Sequence, residues 1–153
     1  MNRCVVIGCG WAGRHHLDTV AASAYARLAA AVEPDENKRQ EAARRYGVPV
    51  YDSVESLLAS GTGFDTGIVA TLPALHGPQC AALIAAGKNV LCEKPVCRSS
   101  AEIAALGQAA RKAGVRFGVV FNPVSYTHLL LVAALGGWLH WRGKETLATP
   151  KEE

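Results

Sequence analysis

With 153 residues, of which 50% are hydrophobic and 19% charged, the chain has the size and composition of one folded α/β domain, and intrinsic disorder is excluded. The net charge is only +3, and the arginines of residues 36–46 are mixed with glutamates, so we expect no nucleic acid partner. The apolar run 129–139 is too short to span a membrane and the N-terminus lacks a signal peptide, so we expect a cytoplasmic protein with no membrane partner.

The first predicted element is a β-branched strand, residues 4–7, which leads directly into the sequence G-C-G-W-A-G and a helix at residues 12–24. Each glycine of this G-x-G-x-x-G pattern has a physical role in dinucleotide binding. Gly8 turns the chain out of the strand, Gly10 lets a pyrophosphate approach the backbone, and Gly13 lets the helix pack closely on the sheet. The helix N-terminus then faces the phosphates with its unpaired N–H groups. The pattern alone is weak, since glycine-rich turns also occur without a ligand.

The second predicted strand, residues 27–33, ends in an acid, Glu33. This acid lies about 20 residues beyond Gly13, the separation expected of the carboxylate that binds an adenosine ribose. Because a carboxylate accepts from the ribose 2′-OH and repels a 2′-phosphate, Glu33 favours NAD over NADP. Lys38 and Arg39 follow closely and offer positive charge to a 2′-phosphate, so NADP stays an alternative.

The remaining chain continues the alternation of strands and helices, ending in a sixth strand before residue 122. The predicted elements are helix 36–46, edge strand 48–51, helix 54–59, strand 65–71, loop 72–75, helix 76–86, strand 89–92, helix 99–113 and strand 115–121. Six alternations predict a doubly wound parallel sheet with helices on both faces. Right-handed crossovers and the nucleotide signature favour the Rossmann strand order 3-2-1-4-5-6.

Ligands of such sheets bind beyond the carboxyl ends of the strands, where the strand order reverses. Glu33, the segment 71–76 and the triplet Glu93-Lys94-Pro95 all follow predicted strands at this edge. Lys94 is the most reactive of these groups, and we expect it to face the cofactor or substrate, where it can polarise a carbonyl or share a hydroxyl proton. A plain surface pair of Glu93 and Lys94 is the alternative.

Three histidines lie near this predicted edge. Of His15 and His16, in the first helix, we expect one to be exposed and one to pack against the sheet. His76 is either an exposed residue in the first turn of its helix or a cofactor contact. No group of His, Cys or carboxylate residues has the spacing of metal ligands, so we expect no metal.

The chain has five cysteines, an odd number without any C-x-x-C pair, so we expect reduced core residues and no disulfide framework. Cys9 differs from the others because it lies in the phosphate turn. A helix N-terminus close to the thiol predicts a lowered pKa for Cys9.

Taken together, these motifs resemble the N-terminal domain of the Gfo/Idh/MocA oxidoreductases, the family of glucose-fructose oxidoreductase and inositol dehydrogenase. The resemblance covers residues 1–123 in unbroken order. It is carried by five segments: V-I-G-C-G-W-A-G-R-H-H at 6–16, V-E-P-D at 32–35, T-L-P-A-L-H at 71–76, G-K-N-V-L-C-E-K-P at 87–95 and F-G-V-V-F-N at 117–122.

This resemblance implies an NAD(P)-dependent dehydrogenase that transfers a hydride between the nicotinamide and a carbinol carbon of a small-molecule substrate, a sugar or cyclitol. It also implies a role for each matched residue. Those roles are pyrophosphate binding for Gly8, Gly10, Trp11, Ala12 and Gly13, adenosine-ribose binding for Glu33, lining of the cofactor cleft for Thr71, Leu72, Pro73 and His76, a place near the nicotinamide ribose for Glu93, and catalysis on the substrate side for Lys94.

Members of that family continue for about twice this length, into a second α/β domain that carries the substrate pocket. Residues 124–153 do not match that continuation. We therefore expect a dinucleotide-binding domain at residues 1–123 and an atypical tail at 124–153, which is truncated, foreign in origin or a divergent helix at 127–135. Such a chain binds its cofactor without full dehydrogenase activity. An exposed sheet edge and the run 129–139 favour a homo-oligomer.

Two other functions agree with part of the sequence. A stand-alone dinucleotide-binding or redox-sensing module requires the glycine turn and Glu33 but no catalytic lysine. A Rossmann-like methyltransferase shares the glycine turn and the acid, but it leaves Glu93-Lys94-Pro95 without a role.

Overall fold

A computed structural model describes residues 1–121 of the chain. The strands are β1 (Asn2–Ile7), β2 (Ala26–Val32), β3 (Val50–Tyr51), β4 (Thr66–Val69), β5 (Asn89–Cys92) and β6 (Phe117–Val119). The helices are α1 (Trp11–Ala21), α2 (Glu36–Tyr46), α3 (Val54–Ala59), α4 (Pro73–Ala85) and α5 (Ser100–Ala113). The predictions for the helix at 127–135, the apolar run 129–139 and the atypical tail lie outside the described residues.

All strands of the sheet are parallel, and their order is β3-β2-β1-β4-β5-β6, which confirms the prediction. The chain therefore winds first to one side of β1 and then to the other, and the order reverses between β1 and β4. Ile7 pairs with both Val32 and Val69, and Val69 pairs with Cys92. Because these residues end their strands, the loops that follow four adjacent strands lie side by side.

The last four residues of β1 are apolar and buried, as expected of a parallel strand that helices cover on both faces. Val5 and Ile7 belong to the core cluster that contains Leu83 of α4. Val6 belongs to the opposite cluster, together with Leu17 of α1. Helices α1 and α4 therefore pack on opposite faces of the same sheet.

Local capping rules account for several of the helix bounds. The side chains of Ser53 and Ser99 accept hydrogen bonds from backbone N–H groups in the first turns of α3 and α5, as expected of N-caps. Gly47 and Gly114 end α2 and α5 in the left-handed conformation, with φ values of +65° and +69°.

Helix α4 differs from the prediction, because it begins at Pro73 and not at His76. Proline suits the first position of a helix, where its missing N–H would have had no partner within the helix. The predicted loop 72–75 is therefore mostly the first turn of α4. The edge strand β3 is shorter than predicted, and within residues 1–121 no helix has the length and apolar character needed to cross a membrane.

Candidate functional site

The three glycines of the turn after β1 have different reasons to be glycine. Gly8 has a φ of +94°, and a Cβ atom there would lie 2.8 Å from the carbonyl oxygen of Ala70. A Cβ on Gly13 would lie 1.8 Å from the carbonyl oxygen of Gly8. A Cβ on Gly10 would meet nothing within 4 Å, and Gly10 has an ordinary extended backbone. The fold itself therefore requires Gly8 and Gly13, whereas Gly10 borders open space.

Glu33, at the end of β2, is directed into this turn. Its side chain is buried, with one carboxylate oxygen accepting from the backbone N–H of Cys9 at 2.8 Å and the other from that of Asp35 at 3.1 Å. Two N–H donors thus hold the carboxylate in place beside the glycine turn. Each carboxylate oxygen keeps further acceptor capacity for a hydroxyl group.

The pKa of Cys9 is shifted in the direction opposite to the one predicted from the sequence. Its thiol is 3% exposed, and burial together with the charge of Glu33 raises its pKa to about 11. The helix N-terminus was expected to lower the pKa of Cys9. Desolvation of the thiolate and the adjacent carboxylate outweigh that effect, so Cys9 is a core residue of the turn.

The two cations expected near a 2′-phosphate differ in their surroundings. The Arg39 guanidinium donates to the carbonyl oxygens of Glu33 and Pro34 at 2.8 and 3.0 Å, and it forms an ion pair with Glu36. Arg39 therefore braces the loop after β2. The side-chain amine of Lys38 has no hydrogen-bond or ion-pair partner among the described residues and stays available to an anion.

Large apolar side chains are exposed where β1 and β4 end. Trp11 is 82% exposed and stacks edge-on against His15, with ring centroids 4.5 Å apart. Leu72, the N-cap of α4, is 72% exposed. Thr71 is tied down, since its hydroxyl donates to Gln79 at 2.6 Å. The edge at which the strand order reverses thus carries exposed apolar surface beside an anchored backbone.

His76 is buried, with a relative accessibility of 1%. This excludes one of the two predicted alternatives, an exposed residue in the first turn of its helix. Its Nδ1 lies 2.8 Å from the carbonyl oxygen of Pro95, and its Nε2 lies 3.0 Å from that of Thr71. The ring therefore links the loop after β4 to the loop after β5.

The segment after β5 holds Lys94 by its backbone. Glu93 uses one carboxylate oxygen to accept from His16 Nε2 at 2.9 Å and the other to accept from the backbone N–H of Lys94 at 3.2 Å. The Lys94–Pro95 peptide bond is cis. Lys94 itself is exposed, and within residues 1–121 its amine has no partner. Glu93 thus pairs with a histidine and not with the lysine amine.

His15 is exposed, as expected of one of the two histidines. His16 is half-buried and contacts Glu93, a contact that the sequence analysis missed. The signal that could have found it is the position of His16 one helical turn beyond Gly13, on the side that faces the strand ends. Residues 1–121 hold no group of three His, Cys, Asp or Glu side chains that could bind a metal ion.

A groove of about 670 Å³ lies between α4 and α5. Its lining shares only Pro73 with the residues expected to bind the cofactor, and it includes Ala81, Leu106 and Ala109 from the facing sides of the two helices. We therefore place the candidate site at the carboxyl ends of β1, β2, β4 and β5 and not in this groove.

Comparison with known proteins gives matches over the described part of the chain. The family model GFO_IDH_MocA, described as an oxidoreductase family with an NAD-binding Rossmann fold, matches residues 2–121. A protein of Amycolatopsis mediterranei, assigned as the oxidoreductase subunit of a UDP-kanosamine synthase, is 39% identical over 114 residues. That alignment covers 74% of this chain and 31% of the relative. Inositol 2-dehydrogenase 2 of Saccharopolyspora erythraea is 33% identical over 111 residues, which are 71% of this chain and 32% of the relative.

Among solved structures, GenD2 from gentamicin A biosynthesis, crystallised in complex with NAD, superposes with a TM-score of 0.73 and 34% sequence identity. The superposition covers 77% of this chain and 34% of GenD2. The chain thus spans about a third of the length of the relatives and of the solved structure that it matches.

Proposed function

Since the chain belongs to the Gfo/Idh/MocA family of oxidoreductases with an NAD-binding Rossmann fold, we propose that it is the cofactor-binding part of a dehydrogenase that acts on a sugar or cyclitol. The dinucleotide-binding domain spans residues 1–123. The protein acts in the cytoplasm on a small-molecule substrate. The chain as it stands binds NAD(H) with little turnover, because hydride transfer needs a positioned substrate and excluded water, which the remaining two-thirds of its relatives' length would supply.

The observation that carries the proposal is the open space beside Gly10. The fold accounts for Gly8 and Gly13 by close backbone contacts, but nothing in the described chain requires Gly10 to lack a Cβ atom. A ligand that approaches the backbone accounts for it, and the N-terminus of α1, which follows directly, favours an anion such as a pyrophosphate. Trp11 and Ala12 contribute the next N–H groups of that helix.

The buried carboxylate of Glu33 supports a preference for NAD over NADP. Because Cys9 and Asp35 hold this carboxylate in place, it cannot turn away from a 2′-phosphate without losing two hydrogen bonds. The amine of Lys38 offsets part of that repulsion. We therefore expect tighter binding of NADH than of NADPH.

For the nicotinamide end we propose a cleft formed by the loops that follow β4 and β5. Thr71, Leu72 and Pro73 line it, and the buried ring of His76 supports their backbone from behind. Glu93 lies near the nicotinamide ribose. The bound cofactor supplies the hydride acceptor, and Lys94, with its amine free of partners in the described chain, shares the proton of the substrate hydroxyl.

The test compares two glycine variants in a fluorescence titration with NADH. Gly10→Ala places a methyl group in the proposed pyrophosphate path, and we expect the Kd of the variant for NADH to rise about tenfold or more. Because Gly10 is the N-cap of α1, we expect its free energy of unfolding to fall by no more than about 1 kcal/mol. Gly107→Ala is the matched control, since its Cβ would lie in ordinary contact, 3.7 Å from Arg111, within α5. Unchanged NADH affinity in Gly10→Ala would contradict the proposal.

A second experiment separates the dehydrogenase from a non-catalytic dinucleotide-binding module. The chain, joined to the second half of a relative from the family, is assayed for reduction of NAD with a panel of sugars and cyclitols, and Lys94→Ala is its control. Turnover that depends on Lys94 supports the dehydrogenase. Tight NADH binding without turnover on any of these substrates supports the module.

A further inference from the structure

Lys94 carries the proposed chemistry on a long and flexible side chain, so its backbone has to be fixed if the amine is to meet a substrate reproducibly. The amine has no partner in the described chain that could fix it. The groups that hold the backbone of residues 93–95 are therefore the ones that determine where the amine can reach.

The first of these groups comes from α1. His16 Nε2 lies 2.9 Å from one carboxylate oxygen of Glu93, and the two side chains are only 19% and 17% exposed. The other oxygen of Glu93 accepts from the backbone N–H of Lys94 at 3.2 Å. A continuous path of hydrogen bonds thus runs from the helix that begins at the glycine turn to the backbone of Lys94.

The second group comes from α4, which packs on the opposite face of the sheet. His76 Nδ1 lies 2.8 Å from the carbonyl oxygen of Pro95, and Nε2 lies 3.0 Å from that of Thr71. Both partners are acceptors, so a neutral ring donates to one of them at a time and a ring with two protons donates to both. With the proton on Nδ1, His76 donates to Pro95 and anchors the residue that follows Lys94.

We propose that His16 and His76 are positioning residues that clamp the segment 93–95 from both faces of the sheet and so fix Lys94 relative to the glycine turn. The role of Lys94 rests on the proposed function, whereas the clamp itself is a property of the chain without any ligand. Neither histidine acts on the substrate. They act through Glu93 and Pro95.

Amide side chains distinguish the two ring nitrogens. Glutamine places its NH₂ group near the position of Nε2, and asparagine places its NH₂ group near that of Nδ1. His16 uses Nε2 toward Glu93, so His16→Gln keeps the link and His16→Asn loses it. His76 uses Nδ1 toward Pro95, so the order reverses, and His76→Asn keeps the link while His76→Gln loses it.

The measurement is hydrogen exchange of the Lys94 amide by NMR, in the full chain without cofactor. We expect exchange about three- to tenfold faster in His16→Asn and His76→Gln, and within about twofold of the parent in the two variants that keep the link. The amide of Thr62, which donates to Ser60 at 3.1 Å, is the control and stays unchanged.

The decisive result is that glutamine preserves slow exchange of the Lys94 amide better at position 16, whereas asparagine preserves it better at position 76. A role in packing alone would make the same amide the better replacement at both positions, and that outcome, or unchanged exchange in all four variants, would overturn the clamp. If the variants of the buried His76 fail to fold, His16→Asn is combined with Glu93→Gln. We then expect the double variant to exchange no faster than the faster single variant, and additive effects would overturn the His16 link.

An NADH titration of the parent chain separates this proposal from the proposed function. A parent that does not bind NADH contradicts the cofactor site, while the exchange data still decide whether the clamp exists. A parent that binds NADH, together with the reversed rank order, supports both.

Discussion

Similar types of charged residue lie at the amino ends and at the carboxyl ends of the strands, but their contacts differ between these two edges of the sheet. At the amino edge, Arg3 and Asp65 join β1 to β4 through a two-pronged ion pair at 2.8 and 3.2 Å, and the Arg3 backbone N–H donates to the same carboxylate at 2.8 Å. The amine of Lys88 donates to the carbonyl oxygen of Phe64 at 3.0 Å. Arg3, Asp65 and Lys88 at this edge therefore have partners within the chain itself.

At the carboxyl edge, the amines of Lys38 and Lys94 have no such partner within residues 1–121, and open space borders Gly10. Trp11 and Leu72 expose large apolar surfaces there. Charge alone therefore does not mark a site. A site is marked by anchored backbone next to polar and apolar groups that the fold leaves uncovered.

Of the changes that would test this difference between the two edges, we expect Gly13→Ala to have the largest effect, on stability. Its new Cβ would lie 1.8 Å from a backbone oxygen, and that oxygen can retreat only if α1 moves away from the sheet. We expect a loss of about 3 kcal/mol or more in the free energy of unfolding, measured with urea, together with loss of NADH binding. Gly107→Ala, with ordinary contacts, is the control. Parent-like stability in Gly13→Ala would show that close packing does not require this glycine.

The next effect concerns the reactivity of Cys9. Its pKa of about 11, against 9.0 for an unperturbed thiol, makes the thiolate about a hundredfold scarcer at pH 8, and the sulfur is also buried. We expect alkylation of Cys9 to be at least that much slower than alkylation of the unfolded chain. The half-buried Cys97 serves as the internal reference in peptide mass spectrometry. Fast labelling of Cys9 at pH 8 would instead support the lowered pKa that the sequence predicted.

A smaller effect is expected from Glu33→Gln. Cys9 and Asp35 donate to different oxygens of Glu33, and the amide replaces one of these oxygens with an NH₂ group, so one of the two hydrogen bonds is lost. The neutral amide also no longer repels a 2′-phosphate. We expect NADH affinity to fall about tenfold and the preference over NADPH to disappear. Fluorescence titrations with both cofactors measure the ratio. If the preference for NADH over NADPH survives the substitution, Glu33 is not its cause.

The smallest effect is expected from Asp65→Asn, at the amino edge. Arg3 holds the pKa of Asp65 at about 2, below its ordinary 3.8, so the folded state binds this proton less readily than the unfolded state. The stabilisation is therefore present above about pH 4 and is lost as the pH falls toward 2. We expect the parent to melt slightly above the variant at pH 7 and level with it near pH 2. NADH affinity at pH 7 should be unchanged, and a change would contradict the separation of the two edges.

Much of the fold could be predicted because its signals are local. The caps at Ser53 and Ser99, and the left-handed glycines Gly47 and Gly114, act within one helical turn of the bounds that they set. The early start of α4 at Pro73 was missed because a proline fits a loop and a first helical turn equally well in sequence.

The candidate site was predictable only in part. The glycine spacing and the strand-end position of Glu33 placed both at one edge, because parallel strands align their carboxyl ends. The contact of His16 with Glu93 joins residues 77 positions apart, and no local pattern encodes such a distance. The sequence equally contained no sign that the Arg39 guanidinium is held by carbonyl oxygens, whereas the Lys38 amine has no partner within residues 1–121.

The alternation of elements, the strand order and the place of the glycine turn could be predicted from the sequence, because periodicity, caps and crossover handedness act over short stretches of chain. Which groups at the carboxyl edge are used by the fold, and which remain for a ligand, depends on the packed structure. It buried Cys9 and raised the pKa of its thiol, engaged His76 with Thr71 and Pro95, and left Gly10 beside open space. The burial and the contacts of a side chain depend on neighbours that are remote in the chain, so they exist only once the strands and helices have packed.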